Sequence, residues 1–256
     1  MDFYDPTMRS LEELTVSDDP AWPTVATWIA ASPYTVDVLP AAGSARDHCL
    51  YRLQVTTRSV LGALAWHTGG VCVDHGWLRL LGSGSVGLTD LATASGMGEP
   101  SAESAPPPFL VVAYDVLGGQ FAVNGGGLPG QAGHVAYFAP DSLAWMSLEM
   151  GHGQFVEWCL TGDTAGFYAD LRWHGWEAES SALKLDQGIT VCPPLFTKEA
   201  QANLAATARS AVPWDEILGL QQDLAEQLQA IPDGGSFRIQ VTNDDQAAPG
   251  KKRWRR

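Results

Sequence analysis

Asp74 and His75 are adjacent, and a carboxylate beside an imidazole can orient a general base. They close a segment that reads as a β-hairpin, where neighbouring residues point to opposite faces, which works against the pairing. Asp115 stands where the apolar run 109–114 meets Gly118-Gly119; a carboxylate at such a strand end binds a ligand or caps the turn. Asp163, Asp170 and Glu177 fall on helical segments, where carboxylates usually form a solvated face. The six histidines, His48, His67, His75, His134, His152 and His174, show no paired metal-binding spacing on a helix, so no metal and no cofactor are assigned.

Two glycine-rich stretches invite the same scrutiny. Gly82-Ser83-Gly84-Ser85-Val86-Gly87 sets serines between glycines but is not followed at once by the long helix of a nucleophile elbow, and a turn explains it. Gly125-Gly126-Gly127 lacks the Lys-Ser/Thr of a phosphate loop and reads as a hairpin loop. The chain carries ten tryptophans, and Trp173-His174-Gly175-Trp176-Glu177 is their densest cluster. Aromatics of this kind either pack in a core or anchor a partner, so Trp173, Trp176 and Asp115 are the candidate contact residues.

The elements that would position these residues follow from period and punctuation. Ser10 and Glu13 have capping-box spacing, Asp19-Pro20 opens a second helix ended by Pro33, 36–39 alternates as a strand, and 45–55 suits a helix. The apolar run 60–66, the turn at Thr68-Gly69-Gly70 and the run 71–73 read as two strands of a hairpin, with 77–81 continuing as a strand or bend. The stretch 95–108, with three consecutive prolines, reads as a loop. Short strands at 109–114, 120–123, 135–138 and 145–148, separated by tight turns, favour an antiparallel meander. Helices return at 154–160 and near Phe167, Tyr168 and Leu171; 189–195 is extended, and Pro213 opens an amphipathic helix. The expectation is an α+β protein, a central antiparallel sheet of short strands flanked by N- and C-terminal helices. Residues 1–8 read as flexible, 9–232 as a single domain, and 233–256 as a disordered tail in which only 237–241 has strand character.

The formal charge is −14, but Lys251, Lys252, Arg253, Arg255 and Arg256 hold five of the fifteen basic residues, leaving −19 on residues 1–250. Such a body repels phosphate backbones and attracts a basic protein, so nucleic acid is expected only at the basic tail. The opening Met1-Asp2-Phe3-Tyr4-Asp5-Pro6 lacks a basic start and an apolar run, and no eighteen-residue apolar stretch occurs, so no membrane partner is expected and the cytoplasm is. Cys49, Cys72, Cys159 and Cys192 show no zinc or redox spacing and read as small hydrophobes.

The blocks SLEELTVSDDPAWP (10–23), LQVTTRSVLGALAWHTGG (53–70), DHGWLRLLGSGS (74–85), YDVLGGQFAVNGGG (114–127), HVAYFAPDSLAW (134–145), GFYADLRWHGWE (166–177) and ITVCPPLFTKE (189–199) resemble an uncharacterised bacterial family, domain of unknown function 2625. That resemblance implies a single domain and carries over no catalytic residue. More loosely, the order of the strand at 109–114, the Gly118-Gly119 turn, the strand ending at Tyr137-Phe138 and the helix around Phe155 is similar to the SUKH superfamily. This likeness implies immunity-type proteins that bind and neutralise toxins. The reading is a non-catalytic protein-binding protein of that type, directed at a basic toxin or nuclease. The alternatives are a small-molecule-binding protein and a hydrolase using Asp74, His75 or Asp115.

Overall fold

The chain is seen in a computed structural model that describes residues 8–15, 18–101 and 103–229. Ser10 starts α1 (Leu11–Thr15) with the reciprocal cap its spacing implies: Glu13 N donates to Ser10 Oγ and Ser10 N to Glu13 Oε2. Next come α2 (Trp22–Ala31), β1 (Val36–Pro40) and α3 (Gly43–Leu53), whose end is marked by left-handed Gln54. Then follow α4 (Val60–His67), β2 (Thr68–Val73), β3 (Leu78–Leu81) and α5 (Leu91–Ala94). The middle of the chain is β4 (Phe109–Asp115), β5 (Gln120–Asn124), β6 (His134–Ala139) and β7 (Ala144–Gly151). Helical segments return as α6 (His152–Thr161), α7 (Thr164–Phe167), a 3-10 turn (Ala169–Leu171) and α8 (Trp176–Ser181). The described chain closes with β8 (Gln187–Cys192), α9 (Lys198–Ala202), a 3-10 turn (Leu204–Ala206), β9 (Ala208–Pro213) and α10 (Trp214–Gln229).

Strands β1 to β7 form one sheet in chain order, each antiparallel to the last, and β8 pairs with β9 in a second, two-stranded sheet. This is the expected α+β meander, with helices before and after it. Every residue of β2 and β3 is buried, Arg79 included, so neither strand shows the alternation of a half-exposed strand. Helices α2, α4 and α6 touch one another, α4 adjoins β2, and α5 adjoins β4. One cluster of buried apolar side chains reaches from Leu14 to Trp214. No helix among the described residues is long and apolar enough to cross a membrane.

Two local expectations are corrected. Residues 60–67 are a helix, so the hairpin expected over 60–73 does not form. A wholly apolar run has no period to separate a buried helix from a buried strand. The N-cap settles it, since Ser59 Oγ accepts the amide of Gly62 at 3.0 Å. The true partner of β2 on its far side is β3, after a connection in which Asp74, His75 and Gly76 all have positive φ. Strand β9, just ahead of the final helix, was not expected. Its alanine and serine content carries little strand preference, and four of its six residues are exposed. The strand character at 237–241 and the basic run 251–256 lie outside the described residues.

Gly62 gives a test of the α4 placement. A Cβ there would stand 2.2 Å from the Thr56 carbonyl oxygen. Helix propensity alone favours Gly62→Ala by about 1 kcal/mol, but this contact is expected to reverse the sign and destabilise by about 1–3 kcal/mol. A urea unfolding curve shifted to a higher midpoint in the variant would contradict the close approach.

Candidate functional site

Asp115, the last residue of β4, is fully buried, and its carboxylate organises the turn that follows. Oδ1 accepts the amides of Leu117 and Gly119, both at 2.9 Å, and Oδ2 accepts the hydroxyls of Tyr137 at 2.7 Å and Tyr168 at 3.2 Å. Burial pushes this carboxyl above the ordinary carboxylate range, against the pull of the four donors. Burial first, then the Asp115 charge, holds both phenols well above their ordinary range. A carboxylate with no exposed surface and four internal donors caps a turn and ties it to two other segments.

Tyr168 links that turn to the second candidate cluster. Its ring meets Trp77 edge-on with centroids 5.5 Å apart, and Trp77 in turn contacts Trp173 at 5.8 Å and Trp176 at 5.1 Å. Arg172 is threaded through these rings: its guanidinium carbon lies 3.9 Å from the Trp176 centroid, 4.9 Å from that of Trp77 and 5.3 Å from that of Tyr168. Arg172 Nη2 stands 2.7 Å from Asp74 Oδ2, with both side chains about nine-tenths buried. Neither atom has an aligned hydrogen bond, so charge and ring stacking hold the guanidinium. Trp173 is 5% exposed; its Nε1 donates to Glu179 Oε1, while Glu179 Oε2 takes Arg209 Nε at 3.2 Å and the Arg209 guanidinium lies over the Trp173 ring.

The five candidate residues Asp74, His75, Asp115, Trp173 and Trp176 are thus joined in one network with very unequal access. Asp115 is its deep end and Trp173 is core. Trp176 is half-buried and reaches the surface beside half-buried His75, 5.9 Å away edge-on, next to exposed His174 and Glu177. Asp74 faces Arg172 and not His75, so the adjacent pair does not form a carboxylate-imidazole couple. His75 Nδ1 instead has Ser181 Oγ at 3.5 Å, and the His75 amide donates to Thr35 Oγ1. Ser83 is buried and donates to the Thr68 carbonyl, and the Gly125-Gly126-Gly127 loop is shaped by Asn124, whose Oδ1 accepts the amides of Gly126 and Leu128. Among the described residues no group of His, Cys, Asp and Glu is placed to hold a metal ion.

Tyr137, Tyr168, Trp77 and Arg172 make the network and were not singled out from the sequence. Tyr168 and Trp77 lie far apart along the chain, and only the fold brings them together. Arg172, beside Trp173, carried the one local signal available: a cation at the edge of an aromatic cluster in a chain poor in cations.

A seven-stranded antiparallel meander with helices on either side of it in sequence, closed by an aromatic and arginine cluster, defines an α+β protein. The chain belongs to the family described as protein of unknown function DUF2625, which it matches over residues 11–217. It is similar to the Escherichia coli K12 protein titled uncharacterized protein YbfG, at 34% identity over 86% of this chain and 98% of that protein. A Haemophilus influenzae uncharacterized protein is 35% identical over 73% of this chain and 83% of its own. No solved structure matches the chain.

Two outcomes test this geometry. Arg172→Met strands the Asp74 carboxylate and is expected to cost roughly 3 kcal/mol, whereas Asp74→Leu with Arg172→Met together should recover most of it; additive losses in urea titrations would contradict the pairing. For Asp115, an acid whose folded pKa is raised is penalised when ionised, so its contribution is best below the unfolded value and declines as pH rises through the folded one. The stability advantage of the native protein over Asp115→Asn should therefore shrink as pH rises above about 4. A widening gap across that range would show that the four donors outweigh burial.

Proposed function

We propose that this protein is a non-catalytic binding protein of the cytoplasm that docks a basic protein partner, in the manner of an immunity-type inhibitor of a basic toxin or nuclease. The observation that supports the reading is the sorting of charge between interior and surface. Among the described residues eighteen carboxylate side chains are exposed, against four exposed cations: Arg9, Arg58, Lys184 and Lys198. Of the other five described arginines, four are turned inward and Arg46 keeps 39% of its side chain exposed. Arg46 lies over Trp66, Arg52 reaches Thr93 and Asp90, Arg79 bonds the Leu185 and Gln187 carbonyls, and Arg172 and Arg209 sit in the tryptophan cluster.

The surface of the described residues is therefore strongly one-signed. A field of this kind speeds encounter with a cationic protein and is screened by salt. The choice of a toxin or nuclease as the kind of partner comes from the loose likeness to the SUKH superfamily read from the sequence.

Affinity capture of the tagged full chain from its own cells, at about 50 mM and about 500 mM salt, tests this. The expected result is a stoichiometric basic protein whose association slows at least about tenfold at the higher salt. A captured partner that is acidic, or one held equally at both salts, would overturn the reading.

A further inference from the structure

Between the loop around Gly87, the end of β4 and the junction of β9 with α10 lies a cavity of about 260 Å³, lined among others by Thr89, Tyr114, Asp186, Trp214 and Asp215. Sites for drug-sized ligands run to roughly 300–1,000 Å³, so this one suits a smaller molecule, up to a single sugar ring. Trp214 is 9% exposed, and its indole Nε1–H, which can only donate, has no acceptor among the described residues. A buried donor left unpaired is costly, and a ligand oxygen would remove that cost. Tyr114 is 7% exposed, its ring centroid 5.1 Å from that of Trp214. Burial, then the nearby charge of Asp215, pushes the Tyr114 phenol up to about 12, so its hydroxyl keeps the proton and can donate as well as accept. Asp186 and Asp215 are exposed at the mouth and can only accept.

The fold holds this rim in place. Arg79 Nη1 donates to the Leu185 and Gln187 carbonyls on either side of Asp186, and the Asp186 carbonyl accepts the Trp214 amide at 3.0 Å. The Arg79 guanidinium also lies over the Trp214 ring at 5.5 Å, so that ring already carries its cation and what it has left to offer is its N–H. Hydrogen-bonding character therefore changes across the cavity, from a donor at the buried side to acceptors at the mouth. A carboxylate or phosphate would serve the indole and meet two like charges. An ammonium or guanidinium would serve the carboxylates and bring no lone pair for the indole. A hydroxyl group accepts and donates at once, so a molecule with several neighbouring hydroxyls meets both ends, and Leu88 and Leu218 take the C–H bonds between them.

We propose that this cavity binds a neutral polyhydroxylated molecule no larger than a monosaccharide, one of whose oxygens accepts the Trp214 N–H while neighbouring hydroxyls donate to Asp186 and Asp215. The site is independent of the basic partner proposed above, and its ligand binds with or without that partner.

The test is titration of the full chain with D-glucose, D-galactose, D-mannose, D-ribose and myo-inositol, each to about 100 mM. It is followed by the indole N–H resonance of Trp214 and the backbone amides of Thr89 and Leu218. Cyclohexanol, acetate and n-butylammonium are the apolar, anionic and cationic counterparts. The expected result is a saturable shift from at least one of the five, with a dissociation constant on the order of 1–10 mM, and none from the counterparts. The indole proton should move downfield as it gains an acceptor. Asp186→Asn with Asp215→Asn, at two exposed positions, should weaken that binding at least about threefold, because hydrogen bonds to an ionised acceptor are about twice as strong as neutral ones. Trp214→Phe, read at the Thr89 and Leu218 amides, keeps a ring without the donor and should weaken it about tenfold. No saturable shift from any of the five, an equal shift from a counterpart, an indole proton that stays in place, or unchanged affinity in the double asparagine variant would overturn the site.

Discussion

Burying a carboxylate without compensation costs more than most single interactions in a protein return, so a fully buried aspartate must be surrounded by donors. Asp115 meets that demand with two backbone amides of its own turn and two phenols from elsewhere. Much else is fastened to the turn 115–119 itself. The Val116 carbonyl accepts the Ile189 amide of β8, and the Leu117 carbonyl accepts Gln221 Nε2 of α10. Gly118 has φ +89° and approaches α10 so closely that a Cβ would stand 2.3 Å from Ile217, while one on Gly119 would stand 2.1 Å from Asp115 Oδ2. The turn between β4 and β5 is the junction where the large sheet, the small sheet, the last helix and the Tyr168 segment meet.

From that junction the aromatic network runs outward through Tyr168 and Trp77 to Trp173 and Trp176. Indole faces take arginines at four places: Arg46 on Trp66, Arg79 on Trp214, Arg172 on Trp77 and Trp176, and Arg209 on Trp173. A guanidinium is weakly hydrated and flat, so it can leave water for a ring and a few carbonyls at modest cost, where a lysine ammonium could not. Lys184 and Lys198 are accordingly exposed. The same preference that stabilises the interior strips the surface of positive charge, which links a packing feature to the external field.

The meander was legible because its strands are short, apolar and separated by glycine and proline turns, and α1 because a capping box is a local device. Helix α4 was not, since an uninterrupted apolar run has the same appearance in a buried helix and a buried strand. At the candidate site, Asp115 was visible as a carboxylate at a strand end, with ligand binding and turn capping both open; the turn amides that decide it are local, but the two phenols come from 22 and 53 residues away. Trp173 and Trp176 sit three residues apart in sequence yet differ in access, because Trp173 is covered by Arg209 while Trp176 lies at the rim. The inward turn of four arginines has no sequence signature, for a guanidinium finds its place only in three dimensions.

Access, more than residue type, separates catalysis from binding here. A general base must reach a substrate proton in a hydrogen-bonded pose, and Asp115 is closed to solvent while Asp74 is committed to Arg172. Freeing either would cost the fold its turn or its cluster, so evolution of a reaction at these atoms would work against stability. The outer carboxylates and the half-buried face of Trp176 can meet another molecule without such a cost. Those are the groups through which the proposed recognition of a basic partner would act.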